Sequence, residues 1–217
     1  MKVHQELTIG PLTTEQEGDL VDRLQRALSD GWSRNTAREE ELNRTMVSTK
    51  LYCFVCTKHR DREAASLYLA RPGDPSTALL YVSNIVPTEL RELTYDQYNF
   101  IVSQFHARFV KPSADSLGIR VELSQPEQTL ENWISPKTAK FLRAFSNRAN
   151  KSTGSSHPKD RERWFDFLIA MHRAREKLDS GLLERWLTEE EKWPEDIAFD
   201  LICEFEFSEG LLRRFDR

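Results

Sequence analysis

Three short runs, KLYCFVCTKH, AASLYLAR and TALLYVSNIV, crowd into residues 50 to 86, each rich in β-branched, aromatic or leucine side chains. Breakers divide them, notably Pro72, Gly73, Asp74 and Pro75. Such residues suit a pleated, half-buried surface, and their close spacing predicts neighbouring antiparallel strands. Whatever else the chain forms, it must cover that sheet.

The flanking segments read as further strands and helices. HQELTIGPL predicts a strand ended by Gly10 and Pro11. Thr13, Thr14 and Glu15 can cap a helix in which Leu20, Leu24, Ala27 and Leu28 recur at helical spacing, with Gly31 as its stop. NTAREEELNR reads as a second short helix or a loop. TYDQYNFIVSQFHARFV reads as a helix with Tyr98, Ile101, Phe105 and Phe109 on one side, ended by Pro112; IRVELS is a last strand.

Residues 126 to 217 read as wholly helical. Ser135-Pro136 is a cap followed by proline at the first helical position, and Thr138, Leu142, Phe145 and Ala149 form one stripe. A second helix begins near Pro158, with Asp160 and Glu162 in its first turn and Trp164, Phe167, Leu168, Met171 and Leu178 as its apolar face. Thr188 with Glu191 fits a capping box, and a final helix carries Ile197, Leu201 and Phe205, with Leu212 as a further candidate. The expected class is therefore α+β: an antiparallel sheet flanked by helices over 1–125, and a helical part over 126–217 packed on it. One continuous domain is the alternative.

At 217 residues the chain can bury a sizeable core, and 39% apolar with 10% aromatic residues excludes global disorder. A net charge of −4 gives no overall attraction to nucleic acid or anionic membrane. No apolar run approaches the roughly 20 residues that span a bilayer, and MKVHQELTIGPL lacks the apolar centre of a secretory signal. A cytoplasmic location is expected, with Cys53, Cys56 and Cys203 reduced. Charge is nevertheless uneven. Lys137 to Arg175 holds ten cations against three acids, and Glu176 to Arg217 six against thirteen. Such blocks pair internally or face different partners.

The order strand, helix, three strands, helix, strand resembles that of acetyl-CoA-dependent acetyltransferases. Their pyrophosphate signature would fall at Val86-Pro87-Thr88-Glu89-Leu90-Arg91-Glu92, where no glycine stands. Without glycine the backbone amides that hold a phosphate are not freed, so the resemblance stops at element order. Cys53-Phe-Val-Cys56 lacks two further ligands for a closed zinc site, and residues three apart in a strand point to opposite faces. Two small buried hydrophobes account for the pair better. No Walker A, dinucleotide or zinc-protease motif occurs, so neither a cofactor nor a metal is implied. His106 and His172 read as structural histidines. Ser83 and Asn84, taken as a strand end, could support a site near Tyr81, but such polar strand ends commonly begin turns.

One connection does have the chemistry of an anion site: ANKSTGSSHPKDRERW, residues 149 to 164. The amides opening a helix near Pro158 are unpaired and carry the positive end of its dipole. Gly154 admits close backbone approach, while Ser152, Thr153, Ser155 and Ser156 can donate hydrogen bonds. Lys151, Lys159, Arg161 and Arg163 surround them, and His157 is of a type that titrates near neutral pH. The connection equally suits a plain helix–helix turn.

Three functions follow as expectations. The first is a non-enzymatic binding or regulatory protein that docks on a protein partner through the charged helical half. The five tryptophans, Trp32, Trp133, Trp164, Trp186 and Trp193, supply anchors of the kind interfaces use. The second is a nucleic-acid binder using Lys137, Lys140, Arg148, Lys151 and Lys159. The third is an enzyme acting on a phosphate ester or nucleotide, with His157 as acid or base among Lys151, Ser152, Ser155 and Arg161. The oligomeric state stays open.

Overall fold

The computed structural model describes residues 1–46, 48–73 and 79–216. Asp74 and Pro75, taken above as breakers, lie outside the described residues, as do Thr77 and Ala78 at the head of the third run. The class is α+β, and the chain divides into two compact units, Lys2–Pro126 and Glu127–Arg217, the latter joined by Met1.

The first unit runs β1 (Leu7–Ile9), α1 (Thr14–Ala27), β2 (Trp32–Arg34), α2 (Thr36–Thr45), β3 (Thr49–Cys56), β4 (Ala65–Pro72), β5 (Leu80–Pro87), α3 (Tyr95–Phe105), a π-helical turn (His106–Val110), α4 (Lys111–Asp115) and β6 (Val121–Leu123). The three crowded runs are β3, β4 and β5, antiparallel as their spacing predicts, with Phe54 opposite Leu67 and Tyr52 opposite Leu69. The whole sheet has the order β2-β3-β4-β5-β1-β6. A register shift sets Tyr68 against Asn84 but Leu69 against Val82, leaving Ser83 as the extra residue of a bulge. Ser83 and Asn84 therefore lie inside β5, and the turn expected there does not form.

One sheet face packs on the helices. Phe54, Leu67, Leu69 and Ile85 meet Leu20 and Leu24 of α1 and Ile101 and Phe105 of α3 in a single apolar cluster. Burying each such side chain stabilises the fold by about 1.5–3 kcal/mol. α1 begins where Thr13 accepts from the Gln16 amide and the Gln16 side chain accepts from the Thr13 amide. NTAREEELNR is helix α2, capped by Asn35, and its buried Glu39 accepts from the Cys53 amide at 2.9 Å.

One strand escaped the sequence reading and one expectation fails, both for local reasons. Trp32–Arg34 is too short and polar to read as a strand, yet it pairs with β3 through Trp32 opposite Cys56. Pro112 does not end its helix. The π-helical turn resets the register, so that Pro112 falls in the first turn of α4, where a missing N–H costs nothing.

The second unit is helical: a 3₁₀ turn (Leu130–Asn132), α5 (Pro136–Ser146), α6 (Pro158–Ala174), α7 (Ser180–Arg185), a π-helical turn (Trp186–Glu190) and α8 (Glu195–Phe215). Ser135 caps α5 as its sequence implies, and Thr138, Leu142 and Phe145 are buried. Trp164 and Phe167 of α6 meet Phe145 and Phe205 in the core, with Phe167 stacked 6.4 Å from Phe205 of α8. Thr188 caps nothing. It lies inside the second π-helical turn, its hydroxyl donating to the Glu184 carbonyl at 2.9 Å, and Pro194 precedes α8. No helix among the described residues is long and apolar enough to cross a membrane.

Candidate docking surface

The 150–157 connection turns much of its chemistry inward. Asn150 organises it: its carbonyl accepts from the Thr153 and Gly154 amides, and its side chain accepts from the Ser152 amide and hydroxyl. Gly154 has φ +59°, and a Cβ there would stand 3.1 Å from Ile197 Cγ2 of α8. Ser155 is buried, donating to both carboxylate oxygens of Glu204 at 2.8 Å. Lys151 donates to the Glu191 carbonyl and lies 5.7 Å above the Trp193 ring. His157 caps α6, its Nδ1 accepting from the Lys159 amide at 3.3 Å.

The predicted residues are thus only partly gathered. Arg148, Thr153, Ser156, His157 and Lys159 line one shallow depression with Asp160 and Arg163. Lys151, Ser152, Gly154, Ser155 and Arg161 do not line it, nor do Lys137 and Lys140, which stand exposed on α5. Asp160 places a carboxylate in that depression, accepting from the Asn150 amide at 3.4 Å and from Arg163.

The tryptophans are not surface anchors. Trp32, Trp164, Trp186 and Trp193 are buried in the two cores, and Trp133 is half-buried with its indole donating to Gln128 at 2.7 Å. Ring size wins over interface preference here, because each unit needs large side chains to fill its centre. Cys53 and Cys56 are likewise buried, and burial pushes both thiols above their ordinary range. The second sheet face carries an apolar groove beside α2, lined by Leu42, Met46, Leu51, Tyr68, Tyr81 and Val86.

Sequence reasoning missed the outward side of α8. Ala198, Leu201, Ile202 and Phe205 are its buried side. Phe199, Phe207, Leu211 and Phe215 are 59, 72, 57 and 85% exposed, and Cys203 is exposed between the first two. These five positions are four residues apart throughout. Each step of four advances about 40° around a helix, so the row slants across the outward surface with Phe207 at its middle, opposite the core. Exposed Asp196 and Asp200 flank the row early in the helix and exposed Arg214 flanks it late; none of the three forms an ion pair among the described residues. The signal was present in the sequence as a second four-residue period. It was hidden because α8 is apolar on two sides, and period alone does not say which side is covered.

The position of this surface is set by the connection described above, through Gly154 against Ile197 and Ser155 to Glu204. The chain matches no protein-family model, no curated protein and no solved structure.

Proposed function

We propose that this is a non-enzymatic binding protein that acts through a protein partner, taken on the outward side of α8. The observation that carries this reading is the row Phe199, Phe207, Leu211 and Phe215, more than half exposed at every position. Single exposed apolar residues are ordinary, but four on the exposed side of one helix leave apolar surface whose removal from water drives association. The partner that fits is an amphipathic helix with its own apolar row. Cations opposite Asp196 and Asp200, and a carboxylate opposite Arg214, would fix its direction. The rival phosphate-ester reading has weaker support, since Lys151 and Ser155 from its candidate set already hold Glu191 and Glu204.

The test is a photoreactive phenylalanine analogue placed at Phe207 or Leu211 in the full chain and irradiated in the cells that make the protein. Discrete polypeptide adducts are expected from both positions, and none from the same analogue at exposed Lys137. No adducts from α8, or the same adducts from Lys137, would contradict the reading.

A further inference from the structure

We infer that the helix received by α8 is α8 of a second copy, giving an antiparallel, twofold-symmetric dimer centred on Phe207; this rests on the docking reading above. The row is nearly palindromic about Phe207: phenylalanine, cysteine, phenylalanine, leucine, phenylalanine. A twofold axis at Phe207 therefore sets Phe199 against the second copy's Phe215 and Cys203 against its Leu211. Two of the three flanking charges obey the same centre. Asp200 stands as far before Phe207 as Arg214 stands after it, so that register brings each Asp200 to the other copy's Arg214.

A parallel pair has neither property. It would set Asp200 against Asp200 and Arg214 against Arg214, like charge upon like. The slant of the row also suits a crossed antiparallel pair. Four-residue rows run parallel to one another when two helices cross at about −50°, so the two copies of this row can meet along the line between the axes. Gly210 lies on the exposed outward side with nothing within 4 Å of its would-be Cβ, so no side chain there holds a second helix away.

The experiment is light scattering on the purified full chain over a range of concentrations. Wild type is expected at twice the 25.4 kDa chain mass, and Phe207→Glu at the single mass with an unchanged far-ultraviolet circular dichroism spectrum. Asp200→Arg is expected to weaken self-association by about tenfold, and adding Arg214→Asp to restore it. Direction is read by oxidation. Phe207→Cys in a Cys203→Ser background should form a disulfide across the axis. Native Cys203 should not, because it lies about 12 Å along the helix from its symmetry mate.

A single-chain mass at every concentration, with adducts to other proteins from position 207, overturns the dimer and leaves the docking reading standing. A single-chain mass with no adducts overturns both. A Cys203–Cys203 disulfide, or a double charge exchange that fails to restore association, overturns the antiparallel register.

Discussion

Ser155 Oγ lies 2.8 Å from both carboxylate oxygens of Glu204, fastening the 150–157 connection to the middle of α8. A loop rich in serine and glycine thus works as a clasp. Its small residues let two helices and a connection come close, and its hydroxyl satisfies a carboxylate on the helix it holds.

Backbone geometry separates two glycines. Gly154→Ala forces a side chain onto a left-handed residue and against Ile197, and is expected to cost about 1–2 kcal/mol. Gly18→Ala, within α1 and with nothing within 4 Å, is expected to stabilise by about 0.5–1 kcal/mol. Urea unfolding of the two variants should shift the midpoint in opposite directions.

Phe205 and Phe207 are two residues apart and do opposite work. Phe205 is buried and stacked on Phe167, so Phe205→Ala should lower unfolding free energy by about 3–5 kcal/mol. Phe207→Glu should leave the fold intact, changing the free energy of the isolated chain by less than about 0.5 kcal/mol, while abolishing the adducts formed from the analogue at Leu211. Thermal melts of both variants, read beside crosslinking, check the pair; a large loss of stability in Phe207→Glu would place that ring in the core.

The elements most legible in the sequence were those whose local signals agreed. Thr13 with a leucine period in α1, three apolar runs with breakers between them, and Ser135-Pro136 at the head of α5 each point one way. Pro112 and Thr188 misled because the first follows a π-helical turn and the second lies inside one, and such a turn changes the register that a fixed helical period assumes. The inward bonds of Ser155 and Lys151 depend on partners 49 and 40 residues away, beyond the reach of spacing arguments. Phe199 and Phe207 were visible as residues but not as a surface until Leu201 and Phe205 were known to be the buried side.

Glu17 gives the first unit an acid-sensitive lock. Burial alone would raise its pKa, but the Tyr52 hydroxyl, Lys50 at 3.0 Å and Arg71 prevail and hold the carboxyl below its ordinary value of 4.5. Its contribution is therefore present above the unfolded pKa and is lost as pH falls through the folded one. Glu17→Gln should destabilise by about 2 kcal/mol at pH 7. The gap from wild type should close as pH falls below about 4.5, which denaturant titrations across pH would show. A gap that stays constant with pH would mean the carboxylate charge contributes nothing.

Cys203 offers the most direct measurement of whether α8 docks a partner. It is exposed within the row, whereas Cys53 and Cys56 are buried and serve as unreactive references. The rate at which a small maleimide alkylates Cys203 can be followed by mass spectrometry in the cells that make the protein, for wild type and for Phe207→Glu. Docking on the outward side of α8 predicts slow alkylation in wild type and fast alkylation in Phe207→Glu, with both equally fast after dilution of the purified chains. Equal, fast alkylation of the two in cells would contradict it.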